Sequence, residues 1–388
     1  MSSCLPAALT VLLICVVMFT GCAGNAGTSS PAGSSPGLQP APAGLVLPEN
    51  RSFFLGFTPT PYDATPQAVQ DTYAFTGGHG DIILHHFDQG VPWPEALAGK
   101  PWSTKLQSDI SYRTSQRRNG QKVYLAVTPI SFGRDGLALY YGDQENLPLP
   151  DDWKGKSFDD PQVIAAYTDY CRAMIRQFHP DYFAYGIEVN ILAQKNPAEF
   201  RKFTVLARQV YTTLKSENPD LPVFLTFHID TFAADPGGQR EAIQPLLPYT
   251  DYMAVSTYPY TYREDPALLP ANWFPQMQAL APEKPFAVAE TGFTATDVDL
   301  QKYHLSLKGN PERQAQYVTF LLDNASRLDA RFVIWFVPVD YDPLWSRLQG
   351  MGGDEMLKLW KNCGLEDSGQ HPRPSLSVWD AWYRLPRR

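Results

Sequence analysis

Two glutamates in this sequence each follow a run of apolar residues that is typical of a buried β-strand. Glu188 lies near the end of "YFAYGIEVNIL" (182–192), and Glu290 ends "KPFAVAE" (284–290). An ionised carboxylate is rarely buried without a partner, because its desolvation costs several kcal/mol or shifts its pKa instead. Each glutamate is therefore either half of a structural ion pair or a working acid, base or nucleophile.

The segments around these glutamates belong to a regular alternation after residue 50. Short apolar runs predict strands, and the longer stretches between them carry apolar residues at steps of three and four, which is typical of helices. Strands that are apolar throughout are buried on both faces, as in a parallel sheet covered by helices. The predicted strands are 53–57, 81–86, 122–127, 182–188, 222–227, 251–257, 285–290 and 331–337, and the clearest helices are 160–178, 196–217 and 309–326.

This pattern predicts an α/β fold of the (β/α)8 TIM-barrel class, with a single domain over residues 50–388. A doubly wound open sheet is the alternative, but it would place a glycine-rich phosphate-binding turn after the first strand, and "GFTPTPYD" (56–63) is no such turn. The long connections 128–160 and 338–372 follow the third and eighth strands. In a barrel they lie at the C-terminal face, where active sites are built.

In a barrel, Glu188 and Glu290 end the fourth and seventh strands, which lie across the mouth from each other. Two carboxyl groups about 5–5.5 Å apart suit retaining glycoside hydrolysis, in which one attacks the anomeric carbon. The other protonates the leaving oxygen and then activates water. The acid must carry a proton, so its pKa must be raised. The nucleophile must stay ionised, and a tyrosine hydroxyl could help to hold it so.

The strand ends resemble those of the clan A glycoside hydrolases, the "4/7" retaining glycosidases with a (β/α)8 barrel. "YGIEVN" (185–190) is similar to their acid/base strand and "AETGF" (289–293) to their nucleophile strand. The resemblance implies that Glu188 is the acid/base and Glu290 the nucleophile, so we expect the pKa of Glu188 to be raised and Glu290 to stay ionised. It also implies that Tyr258 or Tyr260 holds the nucleophile and that Trp335 floors a sugar subsite.

Two positions depart from the pattern of that clan. Ile187 stands where an asparagine usually precedes the acid/base, and Asn190 follows two residues beyond Glu188 as a candidate sugar ligand. "HHFD" replaces the arginine usual near the top of the second strand. Its His85, His86 and Asp88, together with His228 after the fifth strand, are candidates to bind substrate hydroxyls. A histidine packed in the core is the alternative for each.

The N-terminal residues 1–22 read as an export signal. "LPAALTVLLICVVMF" (5–19) has the length of a signal-peptide core, and "FTGC" (19–22) resembles a bacterial lipobox that ends in the lipidated Cys22. An ordinary signal peptide cut nearby is the alternative. Residues 23–49 are rich in Gly, Ser, Pro and Ala and predict a flexible linker. We therefore expect an exported protein, lipid-anchored to a bacterial envelope membrane or else periplasmic or extracellular.

The overall composition limits the possible partners. The net charge of −8 and the pI near 5.4 argue against nucleic acid, and no cysteine or histidine spacing predicts a metal or cofactor site. Outside the signal, only Cys171 and Cys363 remain, and the sequence leaves open whether they pair. Two functions stay open for what we expect to be a monomer. One is an exported retaining glycoside hydrolase; the other is a surface lipoprotein that binds carbohydrate without cleaving it.

Overall fold

A closed barrel of parallel strands forms the centre of the protein, as seen in a computed structural model that describes residues 37–388. Eight strands pair in the order β1-β10-β7-β6-β5-β4-β3-β2, and every pairing is parallel. The (β/α)8 prediction is confirmed. The barrel strands are β1 (Phe54–Phe57), β2 (Ile82–Phe87), β3 (Lys122–Val127), β4 (Tyr182–Gly186), β5 (Val223–His228), β6 (Met253–Thr257), β7 (Phe286–Thr291) and β10 (Phe332–Trp335).

Helices follow the strands and cover the barrel, as the sequence periodicity predicts. The three clearest ones begin at an Asx-Pro pair: Asp160, Asn196 and Asn310 each accept a backbone N–H at the first turn, and proline occupies the next position. The helices are α1 (Pro66–His79), α2 (Trp93–Ala98), α3 (Thr104–Ser115), α4 (Pro161–Phe178), α5 (Val189–Lys195), α6 (Pro197–Glu217), α7 (Ile229–Ala234), α8 (Pro236–Ile243), α9 (Pro275–Gln278), α10 (Pro311–Arg327), α11 (Asp342–Gly350) and α12 (Pro374–Tyr383).

The barrel interior is filled unevenly along its axis. Aromatic rings close the end at which the strands begin: Phe332 lies 5.0 Å from Tyr124 and 6.1 Å from Phe224, measured between ring centroids. Small side chains such as Ala126 and Ala289 line the other end. The interior is therefore tightly packed at the end where the strands begin and less filled at the end where the strands finish.

Both long connections contain structure that strengthens this open end. The connection after β3 includes a short 3-10 helix, Asp151–Trp153, and the one after β10 includes α11 and a second 3-10 helix, Glu355–Leu359. The connection between β7 and α10 carries a small antiparallel hairpin, β8 (Val298–Leu300) with β9 (Leu305–Leu307), which the sequence did not indicate.

The part of the predicted linker that the structure describes, residues 37–49, has no helix or strand. It lies against α12, where the Gln39 backbone N–H donates to Asp380 at 2.6 Å. The signal segment and Cys22 lie outside the described residues. Within residues 37–388, no helix is both long and apolar enough to span a membrane. Cys171 and Cys363 are both buried and unpaired.

Candidate active site

Both strands that end at the glutamates carry one residue more than the neighbouring strand. Between Ala184 and Gly186, β4 advances two residues while β5 advances one, and β7 inserts Ala289 in the same way against β6. Such an extra residue re-aims the side chains that follow it, and it is common beside active sites. Glu290 comes directly after its extra residue and Glu188 comes three residues after Tyr185, the extra residue of β4; both turn into the barrel mouth.

The two glutamates line one recess at the open end of the barrel. Their side chains are 15% and 17% exposed, so both remain accessible from solvent. The walls come from β2 to β7, and no described residue of β1 or β10 contributes. The other lining residues are Leu84, His86, Tyr124, Ala126, Ile187, Thr226, Ser256 and Ala289.

Glu188 is held by three partners from three different strands or loops. It lies two residues beyond β4, with a left-handed backbone (φ 50°), and its N–H donates to Thr226 Oγ1 at 2.8 Å. Ser256 Oγ donates to its Oε1 at 2.7 Å. Arg134 Nη2 lies 3.2 Å from its Oε2. A left-handed backbone costs a non-glycine residue about 1 kcal/mol or more, so the position is set by these surroundings.

Arg134 is a contact of Glu188 that the sequence analysis missed. It lies in the connection after β3, far from Glu188 in sequence, and it too has a left-handed backbone, with φ 56°. Its side chain is 8% exposed, and Nη2 also lies 3.8 Å from an oxygen of Asp88. Asp88 is thereby brought to the site through Arg134.

Glu290 has different partners. The Tyr258 hydroxyl donates to its Oε1 at 2.6 Å, and His86 Nδ1 lies 3.7 Å from its Oε2. Of the two tyrosines offered by the sequence, Tyr258 therefore contacts this carboxylate. His86 occupies the strand-2 position at which the resemblance would place an arginine.

The residues that follow Glu290 explain the motif "AETGF". Thr291 Oγ1 donates to the Thr257 carbonyl at 2.7 Å, which fixes β7 against β6. A Cβ on Gly292 would lie 2.6 Å from the Phe336 carbonyl oxygen, a distance at which the backbone must shift. Glycine thus allows the end of β10 to approach the Glu290 strand.

The pKa values of the two glutamates move in opposite directions. Burial alone would raise the pKa of Glu188, but His228, Arg134, the Ser256 hydrogen bond and His86 together lower it below its usual value. Burial raises the pKa of Glu290, and the Glu188 and Asp88 carboxylates add to this against the opposing effects of His86 and Tyr258. The expectation of a raised pKa for Glu188 is therefore wrong.

Three candidates from the sequence lie away from the recess. His85 points outward from β2 against Phe178, with ring centroids 5.1 Å apart, and burial lowers its pKa to about 3. The Tyr260 hydroxyl donates to the Leu359 carbonyl at 2.6 Å within the outer core. Trp335 is fully buried in that core and donates its ring N–H to the Cys363 carbonyl. None of the three is accessible to a sugar, so these expectations are corrected.

Asn190 supports His228 and is too deeply buried to be a sugar ligand, whereas the His228 ring remains at the site. Asn190 is fully buried; its Oδ1 accepts from the His228 N–H at 2.7 Å, and its Nδ2 donates to the His228 carbonyl at 3.0 Å. The His228 ring stays 19% exposed, with Nε2 3.3 Å from Asp230 and Nδ1 2.9 Å from Thr231 Oγ1. Asn190 therefore positions His228, which faces Glu188.

Aromatic side chains beside Tyr258 come from the connection after β10. Phe336 and Trp360 are partly exposed, and their rings lie 6.4 Å and 5.8 Å from the Tyr258 ring. Both rings are flat apolar surfaces next to the tyrosine that contacts Glu290. Among the residues that the structure describes, no group of three or more His, Cys, Asp and Glu side chains is arranged to hold a metal ion.

The raised pKa of Glu290 leads to a prediction about stability. A carboxyl whose pKa is higher folded than unfolded favours folding while it is protonated, and that contribution is lost as the pH rises through the folded pKa. Glu290→Gln should therefore raise the melting temperature at pH 7, and the difference should shrink as the pH falls to about 4, near the unfolded pKa.

Thermal unfolding of both proteins from pH 4 to pH 8 measures this difference. Glu241→Gln, on the exposed side of α8, is the matched control and should show no such pH-dependent gain. Lower stability of Glu290→Gln at every pH would contradict the prediction.

Comparison with known proteins shows similarity at the level of fold. No model of a protein family and no curated protein matches the sequence. The GH5_18 protein of Streptomyces cattleya in complex with Manb1-4GlcNAc aligns with a TM-score of 0.62 and 16% identity over 87% of this chain and 83% of that one. Two further structures align over different shares of their own chains. The exo-beta-1,4-mannosidase Op5Man5 from Opitutaceae bacterium strain TAV5 gives 0.59 and 15% over 90% of this chain and 62% of that one. The Ignisphaera aggregans GH53 catalytic domain gives a TM-score of 0.52 and 17% identity over 90% of this chain and 99% of that one.

The structural neighbours of this barrel are thus glycoside hydrolases of clan A, and the resemblance seen in the strand ends is confirmed for the fold.

Proposed function

We propose that this protein is a retaining glycoside hydrolase that cleaves an oligosaccharide or polysaccharide by double displacement. The observation that carries the proposal is the recess shared by Glu188 and Glu290, with the Tyr258 hydroxyl on Glu290 at 2.6 Å. Paired carboxyl groups at the ends of the fourth and seventh barrel strands suit this reaction. The structural neighbours, which are glycoside hydrolases, support it.

In the proposed reaction, Glu290 attacks the anomeric carbon and forms a glycosyl ester. Glu188 donates a proton to the departing glycosidic oxygen, so that the leaving sugar departs as an alcohol. In the second step Glu188 removes a proton from water, which attacks the anomeric carbon and releases Glu290 as a carboxylate. Tyr258 holds Glu290 in place and stabilises its charge before attack and after release.

The ligands of the neighbours support a carbohydrate substrate for this chain as well. One neighbour is described with Manb1-4GlcNAc and another is described as an exo-beta-1,4-mannosidase. In this chain, the partly exposed Phe336 and Trp360 offer flat apolar surfaces for a sugar ring. The sugar whose anomeric carbon is attacked must be recognised without the asparagine that Ile187 replaces.

A carbohydrate-binding barrel without catalysis is the second candidate. Two observations favour it: the ion pair between Glu188 and Arg134 opposes protonation of the acid, and Ile187 offers no hydrogen bond to a sugar hydroxyl. Both candidates bind glycans, so only turnover separates them.

We also propose that the protein is exported and lipid-anchored through Cys22. The apolar segment that ends in "FTGC" (19–22) supports this, as does the uncharged linker of residues 23–48. Such a linker lets the barrel stand away from a membrane surface and reach polymeric glycans.

The first prediction for this function separates the two glutamates. Glu290→Ala should lower turnover on the order of 10⁴-fold or more for every substrate, because no glycosyl ester can form. Glu188→Ala should lose most activity on substrates with poor leaving groups and much less on activated aryl glycosides. Azide should then restore its second step, since this anion needs no general base.

Initial rates on a panel of aryl glycosides and polysaccharides measure these effects, with detection of glycosyl azide as product. Glu241→Ala, on the exposed side of α8, is the control and should keep wild-type rates. If both active-site variants retain wild-type rates, the glutamates are structural. A wild type that binds glycans without cleaving them would select the second candidate.

The ion pair with Arg134 leads to a prediction about pH. Arg134 lowers the pKa of Glu188, so the protonated acid should be lost at a low pH and kcat/KM should peak on the acid side of neutrality. Arg134→Gln removes that effect, so the alkaline limb of the profile should move to higher pH. The measurement is kcat/KM on a neutral aryl glycoside from pH 3 to pH 9. An unchanged alkaline limb would exclude Glu188 as the group that titrates there.

The lipid anchor leads to a prediction about localisation. In a bacterial expression host, the wild type should fractionate with membranes and carry an acylated N-terminal cysteine, which mass spectrometry detects. Cys22→Ala should release the protein, with an unchanged circular dichroism spectrum and unchanged activity. A wild type that is soluble and unmodified at its N-terminus would disprove the lipoprotein assignment.

A further inference from the structure

The Arg134 guanidinium has binding capacity that the protein does not use. Nη1 donates to the carbonyls of Ser131 at 3.2 Å and Phe132 at 3.5 Å, and Nη2 faces Glu188 and Asp88. Nε is buried and has no acceptor among the described residues. A buried N–H without an acceptor is unfavourable, so the guanidinium gains from any rearrangement on ligand binding that gives Nε an acceptor.

The backbone around Arg134 fixes this cation before any substrate binds. The Arg134 N–H donates to the Ser131 carbonyl at 2.8 Å, and Ser131 Oγ donates to Asp135 at 2.7 Å. From the helices after β4, Lys195 and Asn196 donate to the carbonyls of Gly133 and Asp135 at 2.7 Å and 3.0 Å. The guanidinium is therefore part of a rigid turn, and little entropy is lost when it binds a ligand.

The position of Arg134 relative to the two glutamates indicates which sugar it would meet. It contacts Glu188 and not Glu290. In the proposed hydrolase, on which this inference rests, Glu188 protonates the leaving oxygen. Arg134 therefore lies beside the sugar on the leaving-group side of the scissile bond.

We propose that the leaving-group subsite recognises an anionic sugar, a uronate carboxylate or a sulfate ester, through Arg134. Guanidinium groups bind planar or tetrahedral oxyanions through two parallel N–H bonds, which neutral sugar hydroxyls cannot match in strength. Neutral hydroxyls would leave Arg134 on Glu188, because the ion pair is the stronger interaction. A carboxylate or sulfate of the substrate, in contrast, competes with Glu188 for the guanidinium through an ion pair of the same strength.

Binding of such an anion also converts Glu188 into the form that the reaction needs. When the substrate anion takes the guanidinium, Glu188 loses one of the cations that hold it ionised and can take up a proton. The negative charge in contact with Arg134 is then unchanged, since the anion of the substrate has replaced the Glu188 carboxylate. Ser256, His228 and His86 still face Glu188 from β6, β5 and β2, so its remaining surroundings stay polar.

Matched glycan pairs test this proposal. Glucuronoxylan, polygalacturonate and alginate are each compared with the same preparation after chemical reduction of the carboxyl groups, and a sulfated galactan is compared before and after desulfation. The two sets distinguish a uronate from a sulfate ester. Wild-type kcat/KM should be about tenfold or more higher on the charged member of one pair, with the difference mainly in KM.

Three variants establish that Arg134 produces the preference. Arg134→Gln should abolish it, whereas Arg134→Lys, which keeps the charge without the planar fork, should retain part of it. Arg263→Gln removes an exposed positive charge from the connection after β6 at the same end of the barrel and should leave the preference intact. Affinity gel electrophoresis of Glu290→Gln with each pair measures binding independently of turnover.

The outcomes separate this inference from the proposed function. Turnover without preference for either charged glycan, or a preference that survives in Arg134→Gln, overturns the inference and leaves the hydrolase standing. Arg134-dependent binding of a charged glycan without turnover supports the subsite and overturns the hydrolase. If no member of any pair binds or is cleaved, the inference is wrong.

Discussion

The arrangement of this site depends on how two buried carboxylates are balanced at the mouth of one barrel. Glu188 has cations and a hydroxyl donor around it, with Arg134 at 3.2 Å and Ser256 at 2.7 Å. Glu290 has one strong donor, Tyr258, and a histidine at 3.7 Å. Burial raises the pKa of Glu290 and repulsion from the Glu188 carboxylate adds to this, whereas the charges and the hydroxyl around Glu188 outweigh its burial and lower its pKa. The rest of the site consists of elements that hold these partners in place.

The barrel supplies that support at the cost of local irregularity. An extra residue in β4 and another in β7 turn the glutamates inward, and Glu188 and Arg134 both adopt left-handed backbones. The packed aromatic rings at the end where the strands begin provide the stability that lets these strained backbones persist at the other end. The division of the interior into a packed half and an open half is therefore what makes a charged recess possible in an otherwise apolar barrel.

The sequence predicted the fold and the position of both glutamates at the ends of strands. Both predictions rest on local patterns, namely apolar runs typical of strands buried on both faces and the spacing between these runs. It could not predict which alternate residues of such a strand face inward. On β10, Phe332 and Ile334 face inward, so Trp335 faces the helices, and on β2 the same alternation separates His85 from His86. The extra residue in β7 changes that alternation at Glu290. Arg134 was missed because a loop residue reaches Glu188 only through the tertiary fold, and no periodic pattern marks it.

The pKa shifts of the two glutamates run against what the proposed reaction needs. A retaining reaction begins with a protonated acid and an ionised nucleophile, whereas the surroundings lower the pKa of Glu188 and raise that of Glu290. The surroundings of Glu290 are dominated by burial, which a bound sugar deepens. For Glu188, burial is also the largest single effect, but His228, Arg134, Ser256 and His86 together outweigh it, and a charge can be redirected by another charge. In the proposed reaction, an anionic substrate that drew Arg134 away from Glu188 would move the proton affinities of both carboxyl groups in the direction that the reaction needs. As Glu188 took up a proton, its repulsion, which adds to the effect of burial on the pKa of Glu290, would be relieved.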